Sequence, residues 1–418
     1  MRVAVFGAGI VGVCSAWWLA QAGHEVVVVD RRAGPALETS RAGAGLISVG
    51  QSRPWASPRA LRALLLHGLG RGDASFGVAL RLSPHQWLWC LRFLAQCRAA
   101  RHPVNLRALV NLAQYSQDAL QSLRSDLDIA CDHSARGVLT LYSDARAMAR
   151  AREGLADLPG GEERRRIVGP DEILRLEPAL APAIDRVVGG DYWAGDQAGD
   201  AYLFARALTE HAQAAGVTFH FNTRVNRLVP VNGRVSVAEL VDPDGFFRPL
   251  HADAFVLALG SFTPMLTRPL GLPCAVYPAK GYSATFGVRD ASVVPEISLV
   301  DDAAGVTITR LGDRLRIAGT AQIGNYARSL NTARCNQLVE RARALFPSGL
   351  DFDNVQFWSG LQPATPSSVP LVGRTRLRNL YLNTGHGPSG WAMGAGSGRA
   401  LADVVSGRSP DIDFPFLD

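Results

Sequence analysis

Two glycine-rich segments hold the residues best placed to do chemistry. The first, Gly7-Ala8-Gly9-Ile10-Val11-Gly12, has the spacing G-x-G-x-x-G. Alone, that spacing is a weak signal. Here it follows the apolar run Val3–Phe6, opens an apolar helix pattern from about Val11 to Ala22, and precedes Asp30 at the end of a second apolar run, Val26–Val29. Each part has a task in holding a dinucleotide. Gly7 permits the tight turn, Gly9 lets the backbone approach a pyrophosphate, and Gly12 lets the helix pack on the sheet. Free N–H groups and partial positive charge at the helix N-terminus favour the phosphates. Asp30 is expected to accept hydrogen bonds from a ribose hydroxyl. A ligand-free glycine turn is the alternative, and the β-α-β context weighs against it.

The second segment, Gly385-His386-Gly387-Pro388-Ser389-Gly390, repeats the spacing after the strand Leu380–Leu382. One helix, about Ser389 to Val405, and a short tail come after it, so no further strand can supply a ribose-binding acid. These N–H groups suit the pyrimidine end of a flavin ring, where negative charge develops on reduction. The N-terminal place of the first motif and the large insertions beyond it favour FAD over NAD. A simple capped turn is the alternative for this second loop.

Four side chains are candidates for the reaction itself. Alternation in the strand Val306–Arg310 puts Val306, Ile308 and Arg310 on one face. An arginine among aliphatic neighbours needs an anion, and a substrate carboxylate fits its planar fork. Arg314 and Arg316, in the next strand, read as ordinary surface arginines. Lys280 is the sole lysine among 43 basic residues, which suggests a required ammonium near the flavin N5 or in the 275–283 segment; chance is an equal alternative. Tyr282, with Tyr277, is a weaker candidate for the carboxylate. His386 is placed either to tune the flavin or simply to pack.

The elements that must position these residues form a discontinuous pattern. The α/β pieces lie at the start, middle and end of the chain; helical and antiparallel segments lie between. Residues 85–124 read as two helices divided near Pro103, 275–320 as alternating strands with a hairpin at Leu311–Asp313, and 337–346 as a helix. The expected fold is mixed α/β: a Rossmann-type FAD-binding domain (1–60, 196–264 and 352–418) plus an antiparallel-sheet substrate domain (61–195 and 265–351). The composition is that of an ordinary globular protein. The six scattered cysteines form no C-x-x-C pair and read as reduced thiols, with no metal site. The net charge of +6 comes from dispersed arginines and carries no nucleic-acid signature. No apolar stretch is long enough to span a bilayer, and no signal peptide is read. The expected location is the cytoplasm. The apolar segment His85–Leu94 leaves open a peripheral contact with the inner face of the cytoplasmic membrane, a buried helix being the stronger reading.

The segments MRVAVFGAGIVGVCSAWWLAQAGHEVVVVDR, ALETSRAGAGLIS, GVLTLY, VYPAKGYS, ITRLGDRLRIAGTAQI, FWSGLQPATPSSVPLVGRT and NLYLNTGHGPSGWAMGAGSG occur in this order over nearly the whole chain. Together they resemble the flavin-dependent D-amino acid dehydrogenases of the D-amino-acid oxidase superfamily. The resemblance implies oxidative deamination of D-amino acids to 2-oxo acids and ammonia, by hydride transfer from Cα to flavin N5, with a quinone or other carrier as electron acceptor. It implies that Arg310 holds the substrate carboxylate. It also implies FAD contacts from Gly7, Gly9, Ile10, Val11, Gly12, Asp30, Arg31, Ser40, Gly45, Leu46, Val225, Gly260, Gly387, Gly390 and Trp391. One segment departs from the pattern: where the family usually reads Asn-Ala-Gly-Gln, this chain has Gly43-Ala44-Gly45-Leu46. Two polar side chains beside the flavin are thereby missing. Oxidation of glycine, sarcosine or a cyclic imino acid such as D-proline or hydroxyproline is the alternative activity.

Overall fold

The computed structural model describes residues 1–58, 60, 76–79, 81–153 and 164–418. A six-stranded sheet runs in the order Leu371–Arg374, Leu380–Thr384, Ala254–Leu257, Arg2–Phe6, Glu25–Val29, Thr218–His220. All its pairs are parallel except the first, which is an antiparallel hairpin. The continuous apolar runs in Arg2–Phe6 and Glu25–Val29 are explained by burial on both faces. Val3, Val5, Val26 and Val28 point into a core made with helices. Ala4, Phe6, Val27 and Val29 point the other way, toward the three-stranded sheet Arg224–Val231, Arg234–Val241 and Phe247–Leu250.

The helices on the first face are Ile10–Gln21, His102–Leu127, Ala201–Ala214 and Gly390–Val405. Bare backbone makes their close contact. A Cβ on Gly396 would lie 2.6 Å from Ser116 Cα, and one on Gly398 would lie 2.8 Å from the Cys14 carbonyl carbon. Helix His102–Leu127 therefore packs in the nucleotide-binding core, not in the substrate domain that the expected boundary gave it.

A nine-stranded, mainly antiparallel sheet forms the second body. Its order is Gln356–Ala364, Tyr277–Gly287, Arg314–Ile323, Val306–Leu311, Ser298–Asp301, Val138–Tyr142, Gly189–Trp193, Arg165–Val168, with Phe76–Val78 paired to Arg314–Ile323. The Leu311/Arg314 hairpin turns through Gly312 and Asp313, as expected. Strand Gln356–Ala364 pairs with Tyr277–Gly287 from end to end, so the expected boundary at 352 moves to beyond Ala364. Helix Thr332–Leu345 packs its Cys335, Leu338, Ala342 and Leu345 against Ile308, Leu315 and Phe286 on one face of this sheet. The opposite face turns toward the nucleotide-binding domain. Pro103 sits in the first turn of helix His102–Leu127, where its missing N–H costs nothing, and separates it from helix Pro84–Gln96.

Candidate functional site

A cavity of about 700 Å³ lies between the two bodies. Three parts of the chain wall it. The first is the nucleotide-binding turn with the loop beyond it: Ile10, Thr39, Ser40 and Ala42 to Leu46. The second is the start of the last helix, Gly387 to Ala392. The third is the inner face of the large sheet: Gly281, Ser283, Thr307, Ala318, Thr320, Trp358, Gly360 and Gln362.

The first motif is built as a dinucleotide cradle. Gly7 has φ +107°, and a Cβ there would meet the Ala258 carbonyl oxygen at 2.5 Å; one on Gly12 would fall 1.8 Å from the Gly7 carbonyl oxygen. Only glycine fits either position. Gly9 caps helix Ile10–Gln21, and no side chain caps it at that residue. The Ile10 N–H donates to Ser40 Oγ at 3.2 Å. Asp30 accepts from the Ala8 N–H at 2.7 Å and the Arg32 N–H at 2.8 Å. These bonds lock the acid to the turn and leave it lone pairs for a ribose. Burial pushes its pKa up, and the two N–H groups oppose that shift. This set of bare turns, free helix end and anchored acid fits FAD.

Of the expected cofactor contacts, Ile10, Ser40, Gly45, Leu46, Gly387, Gly390 and Trp391 line the cavity. Trp391 is pinned by its Nε1–H on the Gly199 carbonyl at 3.0 Å. Val11 is half-buried just inside the first helix. Gly260, at φ +53°, follows strand Ala254–Leu257, and its carbonyl accepts from Thr384 Oγ1 at 3.1 Å. Arg31 is committed to Glu38 at 2.8 Å and stacks 3.9 Å over the Phe262 ring. Val225 packs into the core behind the sheet, two residues after Thr223, whose N–H bonds the Asp30 carbonyl.

Of the expected reaction residues, Tyr282 alone lines the cavity. Arg310 does share a face with Val306 and Ile308, but that is the face covered by helix Thr332–Leu345. Its guanidinium reaches the carbonyls of Gly312 at 3.3 Å and Ala291 at 3.4 Å, and it does not line the cavity. The carboxylate role expected of Arg310 is therefore corrected. Lys280 lies on the same back face: Nζ donates to the Ser329 carbonyl, 5.4 Å from the Tyr282 ring centroid. Burial, then the Arg334 charge, lowers its pKa. Lys280 is not among the residues that line the cavity. Tyr282 contributes to the cavity wall, yet its ring sits between Lys280 and Arg334. Tyr277 is a core residue whose hydroxyl donates to the Gly324 carbonyl at 3.0 Å. His386 is buried, bonded to Ser397 Oγ at 2.9 Å, and pushed down to about 3 by burial. It is a neutral packing residue, while the backbone after it lines the cavity.

Other residues at the site were not apparent from the sequence. Arg316 is not a surface arginine. It is 4% exposed, pairs with Asp200 at 3.2 Å and donates to Thr285 Oγ1 at 3.1 Å and the Gly43 carbonyl at 3.3 Å. It thus braces the glycine segment that stands where the resembled family has polar residues. Ser48 lines the cavity and donates to buried Asp196, whose carboxyl burial pushes up to about 6 against bonds from Ser48 and the Val49 and Gly50 N–H groups. Trp358 and Gln362, two and six residues into a strand that the sequence pattern does not reveal, face the cavity. Their alternation about Gly360 was the available signal. All six cysteines are free, and no group of residues among those described could hold a metal ion.

The parallel nucleotide-binding sheet, the glycine cradle and a cavity closed by a second, antiparallel sheet define a two-domain flavoprotein architecture. The chain belongs to the FAD dependent oxidoreductase (DAO) family, whose sequence profile it matches over residues 2–404. It is 46% identical over 417 residues to the D-amino acid dehydrogenase of Dechloromonas aromatica, covering all of both chains. It is 43% identical over 422 residues to that of Bradyrhizobium diazoefficiens, covering all of this chain and 98% of the relative. Among solved structures it resembles glycine oxidase from Geobacillus kaustophilus, with a TM-score of 0.76, 21% identity, and 99% and 96% of the two chains covered. It also resembles L-proline dehydrogenase from P. horikoshii, with a TM-score of 0.73, 16% identity, and 98% and 94% coverage. At those identities the structures establish the shared fold.

Proposed function

We propose that this protein oxidises D-amino acids to 2-oxo acids and ammonia, using FAD and passing the electrons to a carrier other than the substrate's own products. The observation that carries the reading is the cavity shared by the nucleotide cradle and the inner sheet face. End-to-end identity above 40% with relatives named D-amino acid dehydrogenase supports the substrate class. When bound, FAD supplies the two-electron acceptor. The chain supplies the rest. The cradle of Gly7, Gly9, Gly12 and Asp30 holds the nucleotide end, and the Gly387–Gly390 backbone offers N–H groups at a helix start. The inner sheet face positions the substrate. Trp55, Phe93 and Trp391 keep much of the cavity wall apolar, which excludes water and strengthens the remaining polar contacts.

A quinone or similar membrane-borne carrier is the proposed acceptor. Helix Pro84–Gln96 supports this. It turns Phe93 toward the cavity and leaves Trp87, Leu88, Leu91 and Leu94 exposed on its outer side. Among the described residues no helix is long and apolar enough to cross a membrane, so contact through this helix would be peripheral.

The holoprotein should be mixed anaerobically with D- and L-alanine, D-proline, glycine and sarcosine, and the flavin absorbance near about 450 nm followed. D-Alanine is expected to bleach it and L-alanine to leave it unchanged. Equal bleaching by both enantiomers, or bleaching by glycine and sarcosine alone, would sink the reading.

A further inference from the structure

The described part of the cavity wall is neutral. Among the described residues that line it there is no arginine, lysine, histidine, aspartate or glutamate. An α-amino acid carries a carboxylate, and an arginine fork is the strongest way to hold one. Arg310 faces away, and Arg316 is spent on Asp200.

The wall instead carries three buried polar atoms that have no hydrogen-bond partner: Trp358 Nε1, Thr320 Oγ1 and Gln362 Oε1. Buried polar groups are nearly always paired, so three on one wall call for an explanation. Their strands are neighbours. Trp358 pairs in register with Ser283, which pairs with Ala318; Gly360 pairs with Gly281, which pairs with Ala321. Thr320 sits at the irregularity that interrupts this ladder between Gly281 and Tyr282. It has φ +54°, a conformation that a β-branched residue adopts only under constraint. A bulge of this kind re-aims a side chain, and here it turns Thr320 to the cavity. Gly281 leaves room in the middle: a Cβ there would meet Gln362 Nε2 at 2.9 Å. The Gln362 amide therefore lies over bare backbone.

We propose that Trp358, Thr320 and Gln362 form the specificity edge of the site, receiving the substrate's carboxyl end through neutral hydrogen bonds. The proposal rests on the D-amino acid reading above and deepens it. Trp358 only donates, Thr320 donates and accepts, and Gln362 offers either end of its amide by a half-turn. Such an edge satisfies a carboxylate, but it satisfies a carboxamide equally well, because the carboxamide N–H can use the Gln362 oxygen. An ion pair would discriminate steeply between the two ends. The substrate class assigned here is thus D-amino acids together with their neutral carboxamides.

The experiment compares D-alanine with D-alaninamide in anaerobic flavin reduction, and the binding of propionate with propionamide to the holoprotein by calorimetry. The expected kcat/KM ratio between acid and amide lies within about tenfold, and the two Kd values are similarly close. Gln362→Leu, Thr320→Val and Trp358→Phe should each weaken both analogues by about three- to tenfold, with the affinity of apoprotein for FAD unchanged. Gln362→Arg should shift the preference to the acid by tenfold or more. A wild-type preference for the acid above a thousandfold would overturn the proposal. So would variants that alter FAD affinity and leave analogue binding untouched, since the orphan groups would then serve the cofactor. If neither D-alanine nor D-alaninamide bleaches the flavin, the D-amino acid reading itself falls, and this assignment with it.

Discussion

A neutral imidazole is built into the second glycine loop. His386 is buried against Ser397, and burial lowers its pKa from 6.5 to about 3. Protons therefore bind the unfolded chain more readily than the folded one. The stabilisation this provides is complete above about pH 6.5 and is lost as pH falls from there toward 3, at about 1.4 kcal/mol per pH unit. Replacing His386 by Gln removes the titration. In urea unfolding, the stability gap between wild type and His386→Gln is expected to shift by about 2 kcal/mol against the wild type between pH 7 and pH 5. A gap that is the same at both pH values would mean that the imidazole is not held neutral. Residue roles of this sort were only partly legible in the sequence. Alternation grouped Arg310 with Val306 and Ile308 correctly, but a period of two says which residues share a face and not which face meets the cavity. Arg316 read as exposed because its partner, Asp200, is distant in the chain and is brought to it only by the fold.

Helix Ala201–Ala214 shows how one residue ties several elements together. Asp200 caps it, accepting from the Tyr202 N–H at 2.9 Å and the Leu203 N–H at 3.3 Å. The same carboxylate pairs with Arg316 and, at 3.3 Å, with Arg314 on the large sheet. Asp200→Ala would leave the Arg316 guanidinium buried without its counter-charge, an expected loss of about 3–5 kcal/mol. Asp200→Asn keeps the cap and should lose less. Denaturant midpoints measure both; a cost below about 1 kcal/mol for the alanine variant would show that Arg316 is neutralised by other means. At this scale the opening β-α-β unit was readable because its signals are local: apolar runs, a glycine turn and an acid at the next strand end. Strand Gln356–Ala364 was not, because its cavity face carries Trp358, Gly360 and Gln362 in place of an aliphatic row. Its identity as a strand comes from pairing with Tyr277–Gly287. Helix Thr332–Leu345 begins well before the apolar periodicity does, at the Asn331 cap, whose side chain accepts from the Arg334 N–H at 3.1 Å.

At the scale of the whole molecule, the peripheral membrane contact proposed above predicts that the outer side of helix Pro84–Gln96 meets lipid. Trp87, Leu88, Leu91 and Leu94 are exposed, and so are Arg81, Arg92, Arg98 and Arg101, in or beside the same helix in sequence. Apolar anchors with cationic neighbours favour anionic bilayers. Co-sedimentation is expected with vesicles containing anionic lipid, weaker with purely zwitterionic vesicles, and reduced by salt. Trp87→Ser with Leu91→Ser should cut the bound fraction roughly tenfold. Binding that ignores both the substitutions and lipid charge would assign the contact elsewhere. The mixed α/β and antiparallel fold class was evident from the spread of α/β segments. The packing of helix His102–Leu127 into the nucleotide-binding core was not, because amphipathic periodicity does not say which domain a helix joins.

The order of strands in the nucleotide-binding sheet sets a schedule for biosynthesis. Leu380–Thr384 lies next to Ala254–Leu257, which lies next to Arg2–Phe6, so the first strand made is flanked on one side by a strand near the middle of the chain and, beyond it, by one near the end. Helix Gly390–Val405, packed against helix Ile10–Gln21 through Gly398, is made later still. At ribosomal speeds of about 5–20 residues per second, the N-terminal cradle waits roughly 20–75 s for these partners. Until residues 218–220 and 254–257 have been made, strands Glu25–Val29 and Arg2–Phe6 each lack their outer neighbour. The surroundings of the cradle are therefore completed by residues that lie hundreds of positions away in sequence, long-range contacts of the kind that form late in folding.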